Sequence, residues 1–299
     1  MEEFDFQIIA NLLAGNGQSK ERLLKLQKFL SNHNQTFRVC VVDKPTPISK
    51  IPSDGEVEIK KGVICLGGDG TISETVGYVL NHRIDAPIAV IPTGTANIIA
   101  NTLEIKNEKN LAFLLNKKEI IVDIGVADYA NEKDFFILGF GLGFEENFLK
   151  LSKEKFKAKI GIFSYIFTAL EELFSLKKIP IEINYDQKEV KTDICLLTAL
   201  NLKPKILTVF PLFKDHSING HDQLINVFYV EYRNFFQAFF DTLFFHLFGS
   251  NFSFVKKLTG KEFLFKSPII VGTQVDGELR GSLPVKLSFF ENSCRFLVS

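Results

Sequence analysis

An apolar run that stops at a cluster of glycines constrains this chain more than any other stretch. Residues 62–66 read GVICL, as expected for a buried strand, and Gly67, Gly68 and Gly70 follow in the sequence GGDG. The next residues, TISETVGYVLNH, have helical spacing. A continuously apolar strand that turns through glycines into a helix is typical of a parallel sheet covered on both faces.

Strand and helix patterns alternate in this way over residues 1–124. SKERLLKLQKFLSNH (Ser19–His33) has helical spacing, FRVCVV (Phe37–Val42) is rich in strand-forming residues, and APIAVIP and NIIANTL continue the alternation. We therefore predict a doubly wound α/β domain over residues 1–124. From about residue 125 to 290 most segments are strand-like, apart from helical intervals at Lys159–Phe174 and Arg233–Phe248, which predicts a β-rich, sandwich-like second domain.

Composition excludes several classes of protein. The 299 residues are 46% hydrophobic, and 35 basic residues balance 35 acidic ones, so no global charge favours nucleic acid. The N-terminus lacks a signal-peptide pattern, and no uncharged apolar run is long enough to span a membrane, so we expect a cytoplasmic protein. The cysteines form no CxxC pair and are interpreted as buried, reduced thiols: Cys40, Cys65, Cys195 and Cys294.

The GGDG segment suits phosphate chemistry. Its glycines let backbone N–H groups approach an anion at a helix N-terminus. Asp69 would point at the same place, and a carboxylate beside phosphate makes sense when Mg²⁺ lies between them. The alternative is an ordinary turn with a capping box, because Thr71 and Glu74 match Thr-x-x-Glu.

Two further strand ends favour the phosphate interpretation. IPTGTAN places Gly94, Thr95 and Asn97 after the next strand, and NLLAGNG places Asn11 and Gly15 after the first. In a doubly wound sheet, ligands bind where such loops follow the strands. Three loops of this kind predict one polyphosphate site.

The late segment VDGE places Asp276 and Glu278 on one loop, where one carboxylate can orient and the other can take a proton. Phosphoryl transfer to an alcohol needs such a base. The alternative is a type I′ hairpin, because Asp-Gly between strands is a common short turn.

GGDGTISE, PTGTAN and VDGE, in this order, resemble the diacylglycerol kinase catalytic family, which includes bacterial lipid kinases and sphingosine kinases. The resemblance implies a lipid kinase that binds ATP and Mg²⁺ in the cleft between two domains and phosphorylates a membrane lipid such as diacylglycerol or a sphingoid base. It assigns the base to Glu278, with Asp276 as the second candidate, and implies that the last strand, near residues 294–298, returns to the first domain. It assigns nucleotide binding to Asn11, Gly15, Gly67, Gly68, Gly70, Thr71, Glu74, Gly94, Thr95 and Asn97.

The chain departs from the family pattern in three places. The proline that normally follows Asn11 is replaced by leucine, and a glycine that follows the metal-linked aspartate is replaced by Gln223. The glycine-rich stretch that usually precedes the proline of the second-domain core is missing from ALNLKPKILTVFP (Ala199–Pro211). Asp222 occupies the position of that aspartate, so the resemblance makes Asp69 and Asp222 the candidate metal ligands. Two alternatives stay open: an NAD kinase-like enzyme, which shares GGDGT, and a catalytically inactive lipid-binding protein on the same scaffold.

Two segments predict peripheral contact with an anionic membrane. Arg233–Phe248 places its phenylalanines on a wide apolar face, which suits either a core helix or the wall of a lipid cleft. A lysine run precedes the other helix and is either a solvated face or a lipid-headgroup contact: Lys150, Lys153, Lys155, Lys157 and Lys159. The sequence does not determine the oligomeric state, and a dimer is compatible with it.

Overall fold

The structure, a computed structural model, describes residues 2–14, 18–42, 57–105, 111–116, 118–143, 177–205, 218, 220–232 and 255–298. The predictions for Gly15, the lysine run and the helical intervals Lys159–Phe174 and Arg233–Phe248 lie outside these residues.

The helices described are α1 (Gln18–Asn32), α2 (Asp69–Asn81), α3 (Ile98–Thr102) and α4 (Phe113–Asn116). The strands of the first half are β1 (Glu2–Asn11), β2 (Phe37–Val42), β3 (Val57–Gly67), β4 (Ile88–Pro92), β5 (Glu119–Val122), β6 (Gly125–Asp128), β7 (Lys133–Phe136) and β8 (Gly139–Leu142). Those of the second half are β9 (Ile179–Tyr185), β10 (Lys188–Leu200), β11 (Ile225–Glu231), β12 (Val255–Gly260), β13 (Phe263–Lys266), β14 (Gly272–Val275), β15 (Glu278–Ser282), β16 (Val285–Phe289) and β17 (Cys294–Leu297).

Contacts divide the chain into two compact units. The first consists of Met1–Ile124, Leu202–His221 and Phe290–Ser299, and the second of Gly125–Asn201 and Asp222–Phe289.

The first unit is built on a six-stranded sheet in the order β2-β1-β3-β4-β17-β5. All neighbouring pairs are parallel except β17 and β5. Helix α1 buries Leu23, Leu26 and Leu30 against Phe6 and Ile8 of strand β1. Burying a large apolar side chain stabilises a fold by about 1.5–3 kcal/mol, so the spacing of these leucines fixes which face of α1 meets the sheet.

The second unit is an antiparallel sheet of eleven strands. Its main path runs β15-β14-β8-β10-β9-β13-β16-β6-β7, and β11 and β12 extend from β10. The two ends of this path approach each other, since Tyr129, just after β6, hydrogen-bonds Thr273 of β14 with an oxygen–oxygen distance of 2.8 Å. The sheet therefore curls into a near-barrel.

These architectures confirm the predicted fold class, an α/β domain with a mostly parallel sheet and a β-rich second domain. Strand β2 has the predicted bounds, whereas β12 and β15 were not predicted. The capping box at Thr71 and Glu74 is wrong: α2 begins at Asp69, its N-cap is Gly68, and no side chain makes a cap hydrogen bond. The paired glycines end the strand sharply enough for the helix to start earlier.

The four cysteines are free thiols, as expected, although Cys40 is only half-buried. Burial raises the pKa of Cys65 to about 12, so this thiol keeps its proton at neutral pH. Within the described residues, no helix is both long and apolar enough to cross a membrane.

Candidate functional site

Three strand ends meet at one edge of the first sheet. Asn11, Gly67 and Pro92 are the last residues of β1, β3 and β4, which are parallel neighbours in that sheet. The carboxyl edge of a doubly wound sheet is where ligands bind. The loops singled out in the sequence therefore share an edge, except that Gly15 lies outside the described residues.

The two glycine loops, around Gly67–Gly68 and Gly94, pack directly against each other. A Cβ atom on Gly94 would lie 2.7 Å from the Cα atom of Gly68, and one on Gly67 would lie 2.4 Å from the Cβ atom of Thr71. The N–H group of Thr93 also donates to the carbonyl oxygen of Gly67 at 2.8 Å. Glycine is required at position 94 because the two backbones approach too closely for a side chain, and at position 67 because the side chain of Thr71 fills the space.

Asp69 links the two loops through hydrogen bonds. Its carboxylate oxygens accept hydrogen bonds from the N–H groups of Ile98, at 3.0 Å, and Ile99, at 2.8 Å. These are the first residues of α3, whose own N-cap, Asn97, makes no side-chain cap hydrogen bond. A carboxylate at the start of α2 thus satisfies the N-terminus of the next helix, where negative charge is favoured.

Two buried oxygens at these loops have no hydrogen-bond partner among the described residues. They are Oγ1 of Thr93, which is 5% exposed, and Oδ1 of Asn97. Asn97 has the left-handed backbone conformation, with φ of 47°, and its amide nitrogen donates to the carbonyl oxygen of Gly94 at 2.8 Å. A buried polar atom without a partner costs about 1–3 kcal/mol, and a bound ligand could remove that cost.

The remaining predicted residues of this unit take different positions. Asn11 donates through its amide to Oγ1 of the buried Thr71 at 3.2 Å, which joins the end of β1 to α2. Gly70 and Thr95 are exposed, and Glu74 is half-buried in the first turns of α2. Asn11 and Thr71 therefore support the loops, whereas Gly70 and Thr95 face solvent.

Arg22 was missed by the sequence interpretation. Its Nη1 atom donates to the carbonyl oxygen of Pro92 at 2.5 Å, which brings a guanidinium group to the carboxyl edge of the sheet. The available signal was a single arginine among the lysines of α1, the helix that follows the first loop.

This edge fits a nucleotide phosphate with Mg²⁺. Side-chain-free backbone, the hydroxyl of Thr93 and a nearby guanidinium can donate to phosphate oxygens. The amide oxygen of Asn97 can only accept, so it suits a donor group of the ligand, such as a hydroxyl. No cluster of three or more His, Cys, Asp or Glu side chains able to hold a metal occurs in the described part of the chain. Mg²⁺ commonly takes one or two carboxylates and completes its shell with phosphate and water, so Asp69 alone could anchor it.

In the second unit, VDGE forms a two-residue hairpin between β14 and β15. Asp276 and Gly277 have φ of 46° and 84°, and Val275 pairs with Glu278. Positive φ at both turn residues is the type I′ geometry. The hairpin alternative is therefore correct as geometry, and it leaves the chemistry of the two carboxylates open.

The Asp276 carboxylate is engaged by backbone. It accepts N–H groups from Ile137 at 2.9 Å, Leu138 at 2.9 Å and Gly139 at 3.0 Å, all at the connection between β7 and β8. The N–H group of Asp276 donates in turn to the carbonyl oxygen of Gly139. These bonds hold the turn in place, and half-buried Glu278 follows immediately as the first residue of β15.

Asp222 lies in an exposed loop before β11. One of its carboxylate oxygens accepts the N–H group of Leu224 at 3.0 Å, within the same loop. No cluster of three or more His, Cys, Asp or Glu side chains includes it among the residues described, and its metal role stays a prediction.

Sequence comparisons connect the chain with lipid kinases. Residues 5–128 match the family model of the diacylglycerol kinase catalytic domain. A protein of Staphylococcus aureus named "putative lipid kinase" is 26% identical over 203 residues, which cover 64% of this chain and 62% of that protein. An uncharacterized protein of Synechocystis is 27% identical over 209 residues, 66% of this chain and 47% of that protein. The chain thus matches less than two thirds of the length of these relatives.

A solved structure extends the likeness to the whole chain. A "putative diacylglycerol kinase" from Bacillus anthracis superposes with a TM-score of 0.74, covering 99% of this chain and 98% of that one, at 20% identity. At this identity the likeness concerns the fold. The family match over residues 5–128 includes the three strand-end loops described above and confirms the resemblance found in the sequence: over these residues the chain is similar to the diacylglycerol kinase catalytic domain.

Proposed function

We propose that this chain is an ATP-dependent lipid kinase, which transfers the γ-phosphate of ATP to the hydroxyl of a lipid such as diacylglycerol or a sphingoid base. The observation that carries the proposal is the pair of glycine loops linked by Asp69. Beside them, Oγ1 of Thr93 and Oδ1 of Asn97 are buried and have no hydrogen-bond partner among the described residues. The names of the relatives support a lipid as the acceptor.

The glycine loops would bind the phosphates of ATP, and Asp69 would hold Mg²⁺. The metal neutralises charge on the transferred phosphoryl group. Arg22 and the loop N–H groups would orient the phosphate oxygens, and Asn11 and Thr71 would keep the first and second loops in register. Phosphoryl transfer depends mainly on such positioning and on stabilised charge.

The acceptor hydroxyl would lose its proton to Glu278. Of the two carboxylates of the hairpin, Asp276 already accepts three backbone N–H groups, which suits it to holding the turn. Glu278 begins an edge strand with its side chain half-exposed, which suits it to meeting a substrate.

A lipid substrate implies contact with a membrane surface, and one loop of the second unit suits that contact. Ile270 is 92% exposed and Ile269 48% exposed, in the connection from β13 to β14. The hydroxyl of Ser267 donates to the carbonyl oxygen of Pro180 at 2.7 Å and accepts the N–H group of Ile269, so the loop is braced. We propose that this isoleucine tip and the lysine run contact an anionic bilayer peripherally.

The proposed function is tested with γ-labelled ATP, Mg²⁺ and three acceptors offered separately: diacylglycerol, a sphingoid base and NAD. We expect label in a lipid product, and an Asp69→Ala variant should lose at least about 10³-fold in turnover because both metal anchoring and the fastening of the loops are removed. Label in the NAD product would establish the NAD kinase-like alternative. Lipid binding without transfer to any acceptor would establish the inactive one.

Membrane contact is tested separately by sedimentation with anionic vesicles. Replacing Ile269 and Ile270 with serine, or Lys153, Lys155 and Lys157 with glutamine, should reduce the bound fraction, and the lysine change should also lessen its salt sensitivity. Activity on detergent-dispersed lipid should stay unchanged. Equal sedimentation of both variants and the original protein would contradict the membrane surface.

A further inference from the structure

The strand that carries Glu278 has an irregularity three residues beyond it. Gly272 of β14 pairs with Ser282, but Thr273 pairs with Arg280, so Gly281 is an extra residue on β15. Such a β-bulge bends its strand and re-aims the side chains near it. β15 lies at the end of the sheet path, and among the described strands it pairs with β14 alone.

Two side chains hold this bulge, Thr273 of the neighbouring strand β14 and Tyr129 from the other end of the sheet path. The hydroxyl of Thr273, a residue 1% exposed, donates to the carbonyl oxygen of Gly281 at 3.1 Å. That hydroxyl has one proton, so the 2.8 Å bond between Thr273 and Tyr129 must be donated by the tyrosine. The chain of hydrogen bonds therefore runs from Tyr129 through Thr273 to the bulge.

The tyrosine ring adds a steric contact. A Cβ atom on Gly281 would lie 2.7 Å from Cδ1 of Tyr129, so the ring lies flat against the bulge and only glycine leaves room for it. Burial raises the pKa of Tyr129 to about 12, which keeps the phenol protonated and able to donate at neutral pH. Arg280 adds a weaker tie, with its Nε atom 3.8 Å from the carboxylate of Asp134 on β7.

We propose that Tyr129, Thr273 and Gly281, the bulge clamp, position Glu278 for proton transfer by fixing the course of β15. The inference rests on the proposed function, in which Glu278 is the base. Tyr129 and Thr273 act through Glu278 and are positioning residues. Without the phenol donor, the hydroxyl of Thr273 loses its hydrogen-bond support and β15 is held less firmly at its bulge, so the base samples geometries in which the acceptor hydroxyl is out of reach.

Tyr129→Phe keeps the ring and removes only the donor. We expect turnover to fall about 10-fold with the KM for ATP unchanged. Gly281→Ala should also lower turnover without changing the KM for ATP, because its methyl group displaces the tyrosine ring. The matched control is Tyr185→Phe, the same change in β9 of this unit, which should alter turnover less than 2-fold. Loss of ATP affinity in place of turnover would overturn the clamp.

The decisive measurement repeats Tyr129→Phe in a Glu278→Gln background. If the clamp acts through Glu278, removing the phenol there should cost less than 2-fold more, because residues that act as a unit are not additive. A further 10-fold loss in the double variant would show a general structural role and overturn the proposal.

Amide hydrogen exchange separates failure of the clamp from failure of the proposed function. Exchange at residues 278–282 should quicken at least 10-fold in Tyr129→Phe and not in Tyr185→Phe, whether or not the protein phosphorylates a lipid. Unchanged exchange would overturn the clamp. If the original protein is inactive but exchange quickens in the variant, the clamp stands as a structural feature of β15, and the proposed function, with Glu278 as the base, is overturned.

Discussion

The dipeptide Asp-Gly occurs at both candidate loops, and the two copies fold differently. Asp69-Gly70 opens helix α2 directly after β3, whereas Asp276-Gly277 forms a type I′ turn between two antiparallel strands. The residues before each aspartate decide the outcome: two glycines end a parallel strand in the first case, and an alternating strand continues into a hairpin in the second.

The two aspartates nevertheless make the same kind of contact. Each carboxylate accepts consecutive backbone N–H groups from a segment distant in sequence, two for Asp69 and three for Asp276. The difference lies in the backbone around them: Asp69 starts a helix and caps the next one, while the N–H group of Asp276 donates back to the carbonyl oxygen of Gly139, in the segment that its carboxylate binds. The first arrangement suits binding and the second suits holding a neighbouring residue in place.

Among the substitutions that test this difference between the two loops, Glu278→Gln should have the largest effect on turnover. It keeps the size of the side chain and removes the base, so turnover should fall by on the order of 10² to 10⁴ while ATP affinity is nearly unchanged. Steady-state kinetics at saturating ATP measures the effect. Glu262→Gln, which removes an exposed pair with Lys286, is the control and should behave like the original protein. Full activity of Glu278→Gln would remove the hairpin from the active site.

Gly94→Ala should act on the first loop alone. The new Cβ atom would lie 2.7 Å from the Cα atom of Gly68, and forcing the loops apart should raise the KM for ATP roughly 10- to 100-fold, since overpacking typically costs 1–3 kcal/mol. Gly272→Ala is the control, because a Cβ atom there meets nothing within 4 Å. An unaltered KM in Gly94→Ala would separate the glycine pair from the nucleotide.

Asp276→Asn should cost about 10-fold in turnover and little in ATP affinity. An amide has one acceptor oxygen where the carboxylate has two, and its NH₂ group would face backbone donors. The control is Asp186→Asn in the turn between β9 and β10, whose residues Asp186 and Gln187 also have positive φ. A larger loss for Asp276→Asn than for Glu278→Gln would exchange the two roles.

Thr93→Val should have the smallest effect: it should raise the stability of the free protein and lower its affinity for ATP. Removing a buried hydroxyl without a partner should raise stability against denaturant by about 1 kcal/mol, and ATP affinity should fall about threefold if the nucleotide satisfies that hydroxyl. Thr75→Val, which removes a hydroxyl that donates to the carbonyl oxygen of Thr71, should instead lose stability. Unaltered ATP affinity in Thr93→Val would leave Thr93 outside the site.

The sequence predicted the parts of the fold that depend on local pattern. Helix α1 and strand β2 follow from the spacing of their apolar residues, and the glycine loops follow from the glycines that come directly after apolar strand segments. The start of α2 was misplaced because Thr71 and Glu74 imitate a capping box, whereas close packing at Gly67 and Gly68 begins the helix earlier.

The site was only partly predictable because its key contacts join distant segments. Asp69 meets residues 29 and 30 positions away, Arg22 reaches Pro92 across 70, and Asp276 meets residues up to 139 away. The periodicity of the sequence does not reveal contacts between residues so far apart. Residue types and their order indicated the chemistry, and only the folded backbone shows that Asp69 is also a helix cap.

The position of β17 has a consequence for how the protein is made. This strand lies between β4 and β5 in the first sheet, and β5 pairs with β17 in the described sheet. During translation, β4 and β5 leave the ribosome long before residues 294–297. Until β17 is made, the edge of β4 that it will cover has no partner strand, and the whole second unit is synthesised in the meantime. Such an open edge is where nascent chains mispair, and the order of translation makes the second unit's folding speed a determinant of how long the first stays exposed.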